Sequence, residues 1–136
     1  MKTELQIREA YTRMRRRFGH QRWWPGRTPF EICVGAILTQ NTSWKNVELA
    51  ISNLREAGVL NIRGMVKLRH DRLAELIHPA GCFNVKANRL RAFLSTLMDG
   101  YGGSLKRLFR GESKVVRKRL LKVPGIGPET ADCMLL

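Results

Sequence analysis

The stretch V-P-G-I-G-P-E-T-A-D-C-M-L-L, residues 123–136, places two glycines around one isoleucine and then opens a helix. Pro128 suits the first helical position, where its missing N–H costs least. Upstream, S-K-V-V-R-K-R-L-L (113–121) carries a helical pattern. The spacing therefore predicts helix, tight turn over 122–127, helix. Gly125 and Gly127 both permit positive φ and a close backbone approach. The turn amides and the positive end of the second helix then face outward as an anion site. Lys114, Arg117, Lys118, Arg119 and Lys122 surround it with positive charge. A bare G-x-G by itself favours a packing corner between two helices. The basic flanks favour phosphate, a contact that fixes register without reading bases.

The rest of the composition agrees. Twenty-five Lys and Arg stand against 11 Asp and Glu in 136 residues, a net charge of +14. Such an excess favours a polyanionic partner, nucleic acid before an anionic membrane surface. No apolar run is long enough to span a bilayer. The N-terminus M-K-T-E-L-Q-I-R-E-A lacks the apolar core of a signal peptide. Cys33, Cys82 and Cys133 are odd in number and far apart, which is neither a disulfide framework nor a zinc pattern. They are expected to pack as small hydrophobes in a reducing cytoplasm. His20, His70 and His78 form no ligand pair and read as surface or cap histidines.

Helical periodicity runs through the chain, predicting one all-α domain over 1–136. Thr3-Glu4-Leu5-Gln6 has the form of a capping box, and Ile7, Tyr11, Met14 and Phe18 follow as one apolar stripe. Thr28-Pro29-Phe30-Glu31 is a second start: N-cap, Pro at N1, Glu at N3. F-E-I-C-V-G-A-I-L is apolar on nearly every side, so this helix should be central. Trp44, Val47, Ile51 and Leu54 share one face of the next. Further helices are expected over 62–68, 71–77, 85–98 and 104–110.

Taken together, four ordered segments resemble the endonuclease III superfamily of helix-hairpin-helix DNA glycosylases. They are W-W-P (Trp23–Pro25), G-A-I-L-T-Q-N-T (35–42), H-P-A-G-C-F-N-V-K-A (78–87) and L-L-K-V-P-G-I-G-P-E-T-A-D (120–132). The pattern is most similar to the branch that includes 3-methyladenine glycosylases. The resemblance implies the helical-barrel domain of such an enzyme, ending in the hairpin motif at 113–136. Residues 1–20 would form a helix that normally joins a companion domain, so Tyr11 and Phe18 are expected to lie open here.

The same resemblance implies roles for single residues. A glycosylase takes the damaged base out of the stack. Gln40 would enter the gap, while Cys82 and Phe83 would wedge against the opposite strand, Phe83 being the better stacking surface. Trp24 and Trp44 would form a pocket for a flat, cationic alkylated purine. Lys122, Val123, Gly125, Ile126, Gly127 and Thr130 would hold the DNA backbone. The carbonyls of Leu121, Val123 and Ile126 would hold a monovalent cation. Glu129 stands where lyase members carry a lysine, and a carboxylate forms no imine. Hydrolysis by water alone is then implied.

The aspartate that stabilises the oxocarbenium-like charge is expected beyond Leu136, and Asp132 reads as a surface or capping residue. The iron–sulfur cysteine motif is absent from these residues, and no cofactor is expected. The implied partner is double-stranded DNA, bound by a cytoplasmic or nucleoid-associated monomer. The chain is expected to be a C-terminally truncated glycosylase homologue, inactive by itself. A non-catalytic DNA-binding protein and a truncated remnant remain as alternatives.

Overall fold

The computed structural model describes residues 1–20 and 26–136. Among them every regular element is helical: α1 (Lys2–Phe18), α2 (Pro29–Leu38), α3 (Trp44–Glu56), α4 (Ile62–Lys67), α5 (His70–Leu76), a 3₁₀ turn (His78–Ala80), α6 (Phe83–Tyr101), α7 (Leu105–Leu108), α8 (Ser113–Leu121) and α9 (Pro128–Leu135). The all-α expectation holds.

α2 starts as its sequence dictates. Thr28 is extended, and its hydroxyl accepts from the Glu31 amide at 3.1 Å, with Pro29 in the first turn. A cap of this kind contributes about 1 kcal/mol. Phe30, Cys33, Val34, Ala36, Ile37 and Leu38 are all buried, so α2 is central as expected. It packs against α3, α6 and α9. α6 supplies Ala87, Leu90, Phe93, Leu94 and Leu97 to the same core. α3 adds Val47, Ala50, Ile51 and Leu54.

Several local expectations are corrected. α1 begins at Lys2 with Met1 as its cap and no side-chain cap bond. Thr3 is already inside the first turn, so the predicted capping box is not made. α6 starts at Phe83 and runs through Gly100 to Tyr101. Burial of its inner face outweighs the helix penalty of one glycine, roughly 1 kcal/mol. It stops only at Gly102, a left-handed cap. α7 is confined to Leu105–Leu108, capped by the Ser104 hydroxyl. Cys33 is buried as expected, but Cys82 is exposed and does not pack as a hydrophobe.

No residue of α1 is buried. Its stripe lies open, with Tyr11 57% and Phe18 66% exposed. None of the helices among the described residues is long and apolar enough to cross a membrane.

Two measurements check this layout. Phe93→Ala should cost about 3–5 kcal/mol in denaturant unfolding, while Tyr11→Ala should stay within about 0.5 kcal/mol. Burial pushes the Cys33 thiol up to about 12. A disulfide reagent at pH 8 should therefore label Cys82 in the native protein and Cys33 only after unfolding. The folded state also holds the Cys33 proton more tightly than the unfolded chain. That contribution is full below the ordinary value of 9.0 and is lost as pH rises towards 12.

Candidate nucleic-acid interface

The hairpin is built from inside outward. Val123 and Ile126 are buried and plug the turn into the core. Backbone bonds from Val123 to Leu120 and from Ile126 to Val123 close it. Gly125 takes φ +87°, the left-handed region. A Cβ there would also lie 2.4 Å from Cγ of Arg89. Gly127 differs from expectation: at φ −90° and ψ −177° it is extended, a conformation open to any residue, and serves as the cap of α9. The Gly125 and Gly127 amides donate to no backbone acceptor among the described residues.

The five basic residues around the hairpin divide by task. Arg119 donates to the carbonyls of Leu108 and Arg110, tying α8 to the end of α7. Arg117 pairs with Asp132 at 2.8 Å. That bond raises the guanidinium's pKa and holds the Asp132 carboxyl below its ordinary range. Asp132 is thus an exposed surface partner. Lys114, Lys118 and Lys122 remain exposed.

Gln40 lies just past α2, half-buried, and reaches the hairpin. Its Nε2 donates to the Gly125 carbonyl at 3.1 Å and to Thr130 Oγ1 at 2.8 Å. Its Oε1 accepts from Arg89. Thr130 is itself buried, and its hydroxyl is engaged by Gln40. Glu129 is exposed in the first turn of α9. The Val123 carbonyl already accepts one bond, from Ile126.

The segment 78–83 is held from two sides. Lys86 is only 2% exposed, and its ammonium donates to the Ala80 carbonyl at 2.7 Å. Burial lowers its pKa, against the pull of Cys82 and with that of Arg89. His70 Nε2 meets the Asn84 carbonyl at 3.2 Å. Cys82 adopts a left-handed φ of 43° at the exposed tip. Phe83 is half-buried and stacks on His78, centroids 4.5 Å apart.

Trp44 opens α3. Its indole N–H donates to Glu48 at 3.1 Å, and its ring edge lies against Gly35, where a Cβ would come within 3.3 Å. It walls a cavity of about 330 Å³ shared with Arg27, Glu31, Glu48, Ile51 and Arg55. Glu31 is paired with Arg55 and accepts from the Arg27 amide. Trp24, the other expected pocket residue, lies outside the described residues. No cluster of three or more His, Cys, Asp or Glu suited to a metal occurs among the described residues.

Sequence reasoning missed Arg89, Lys86 and the Glu31–Arg55 pair as structural ties. The only available signal was Lys86 itself, which shares the inward face of α6 with Ala87 and Leu90.

Residues 34–120 match the family described as HhH-GPD superfamily base excision DNA repair protein. The chain is 45% identical over 120 residues to the Methanocaldococcus jannaschii protein named "Putative DNA repair glycosylase MJ1434", covering 88% of this chain and 54% of that one. It is 29% identical to endonuclease III of Thermotoga maritima over 107 residues, 79% and 46% of the two chains. The chain thus spans about half the length of these relatives. Among solved structures, H. pylori 3-methyladenine DNA glycosylase (MagIII) bound to 1,N6-ethenoadenine superposes with TM-score 0.74 and 32% identity, over 83% of this chain and 54% of that one. A trapped endonuclease III–DNA covalent intermediate gives TM-score 0.74 at 25% identity, over 99% and 60%.

The two hairpin glycines should respond differently to the same change. Gly125→Ala meets both a left-handed backbone and Arg89, and should destabilise by about 1–3 kcal/mol. Gly127→Ala meets open space in an extended conformation, and should shift urea unfolding by no more than about 1 kcal/mol, the loss of a better N-cap residue.

Proposed function

The chain belongs to the HhH-GPD superfamily of base excision DNA repair proteins, and on that footing we propose that it binds duplex DNA and presents a damaged base for excision. The observation that carries this reading is the bond from Gln40 to the hairpin. It brings the residue suited to fill a vacated base position within hydrogen-bond distance of the element suited to hold a phosphate. The trapped endonuclease III–DNA intermediate, 25% identical to this chain, supports the same partner.

In this reading the hairpin over 113–136 anchors the backbone. The Gly125 and Gly127 amides and the start of α9 face a phosphate, and Lys114, Lys118 and Lys122 add charge. The carbonyls of Leu121, Val123 and Ile126 are neutral oxygen donors, which fits a monovalent cation better than a divalent one. Val123 keeps one lone pair for it. Cys82 and Phe83 face the opposite strand from the rigid 78–83 segment. Thr130 acts through Gln40, its hydroxyl being already engaged.

Trp44, with Trp24, takes the extruded base. An indole face favours a flat ring carrying positive charge, so an alkylated purine is the substrate class. Glu129 leaves no amine at the lyase position, so water displaces the base. α1 offers its open stripe to a companion domain. The protein works as a monomer on DNA, in the cytoplasm or on the nucleoid.

Fluorescence anisotropy with a duplex carrying one alkylated purine, against its intact counterpart, tests the proposal. Tighter binding to the damaged duplex is expected, and equal affinity would leave a plain DNA-binding module. Lys118→Ala and Lys122→Ala should weaken both duplexes alike and reduce the salt slope by about 1 each. Borohydride added with an abasic duplex should trap no covalent adduct, because residue 129 supplies no amine.

A further inference from the structure

Both ends of the Gln40 amide are engaged in the free protein. Both hydrogens of Nε2 are used, one on the Gly125 carbonyl at 3.1 Å and one on Thr130 Oγ1 at 2.8 Å. Oε1 accepts from the Arg89 guanidinium, a charge-assisted bond. A flipped amide would turn its NH₂ onto that guanidinium, so one orientation is enforced.

Arg89 is engaged along its whole length. Its aliphatic stem lies on the bare Cα of Gly125, where any Cβ would come within 2.4 Å of Cγ and 2.8 Å of Cδ. Its head meets Gln40. One side chain on α6 therefore touches both the turn of the hairpin and the residue beyond the end of α2. These three elements come from distant parts of the chain, Arg89 lying 49 positions from Gln40 and Gln40 lying 85 positions from Gly125.

We propose that Arg89 is a positioning residue that couples the hairpin to Gln40. Its head orients the Gln40 amide, and its stem fixes the hairpin turn beneath that amide. Seating the hairpin on a phosphate then sets the distance and orientation from which Gln40 enters a vacated base position. The inference rests on Gln40 as the gap-filling residue and adds what holds it ready. Lysine cannot replace the arginine here. It carries the charge without the planar fork that fixes an acceptor's direction.

The test compares the full 136-residue chain with its Gln40→Ala, Arg89→Ala, Arg89→Lys and Gln40→Ala/Arg89→Ala variants. The readout is the ratio of affinities for a duplex bearing a central tetrahydrofuran abasic analogue and for the same duplex intact. Gln40→Ala and Arg89→Ala should each reduce the ratio about tenfold, the scale of one charge-assisted bond, and the double variant should go no lower. Arg89→Lys should keep wild-type affinity and salt slope on the intact duplex yet lose the ratio. It also carries the test if Arg89→Ala unfolds. In the free protein, the bonds to Gly125 and Thr130 should slow exchange of the Gln40 side-chain NH₂ protons, and both Arg89 variants should lose that protection.

Two results would overturn the coupling alone: Arg89→Ala lowering both affinities equally with Arg89→Lys restoring both, which marks a simple phosphate contact, or Arg89 variants leaving the ratio at its wild-type value while Gln40→Ala lowers it. An unchanged ratio in Gln40→Ala would remove the gap-filling reading, and the coupling with it.

Discussion

α2 is the constraint on which the other elements depend. Eight of its ten residues are buried, and a helix enclosed on nearly all sides neither slides nor rotates without opening the core. Its two ends are therefore fixed points. At the N-terminus stands Glu31, joined to Arg55 of α3 and to the Arg27 amide. Beyond the C-terminus stands Gln40, joined to the hairpin and to α6. The cavity beside Trp44 and the hairpin are thereby held at opposite ends of one rigid rod. Gly35 lets the Trp44 ring edge rest on that rod.

Polar groups inside the core are few and each has a tie to make. Glu31, Lys86 and Thr130 are the buried polar residues among those described, and no buried side-chain nitrogen or oxygen among them lacks a partner. Lys86 carries a desolvation cost, which lowers its pKa, because an ammonium out of water is poorly compensated by one neutral carbonyl. A hydrophobe of similar shape would pack there without that cost. What the lysine supplies is an anchor for the Ala80 carbonyl at the close of the 3₁₀ turn, directly before the two left-handed residues Gly81 and Cys82. Strained backbone persists only where its surroundings over-determine it. The buried lysine on one side and His70 on the other meet that condition.

Local chemistry made most of the fold legible in the sequence. Thr28-Pro29-Phe30-Glu31 announced α2 because every residue in it has a cap or first-turn function, and the all-round apolar run placed that helix centrally. The hairpin was legible for the same reason: α8 spans residues 113–121 and α9 opens at Pro128, as the pattern required. Where local signals failed, tertiary context had decided the outcome. Thr3 lost its cap role because the helix continues to Lys2. Gly100 failed to end α6 because Tyr101, one residue further on, still packs against the core. Two glycines so close together looked equivalent, but only Gly125 is left-handed, and Arg89 from 36 positions upstream covers it. No sequence period encodes a contact of that separation. The family resemblance named the members of the candidate site; it did not contain the bonds that hold Gln40, Thr130 and Gly125 together.

The charge of +14 takes on a sharper meaning once its members are sorted. Several arginines point inward in function. Arg55 neutralises Glu31, Arg89 orients Gln40, Arg91 donates to the Leu68 carbonyl and Arg119 to those of Leu108 and Arg110. A guanidinium suits that work because it offers several donors in fixed directions and is less strongly hydrated than an ammonium. The exposed lysines of the hairpin differ: an ammonium is a compact, strongly hydrated point charge, suited to attracting an anion without dictating its geometry. Attraction and positioning thus fall to different residue types. On the proposed reading, a change among Lys114, Lys118 and Lys122 would alter how strongly the surface draws an anion, while a change at Arg89 or Arg119 would alter the shape of what that anion meets. Net charge alone, however extreme, is silent on that division; it emerges only from which cations already have a partner within the fold.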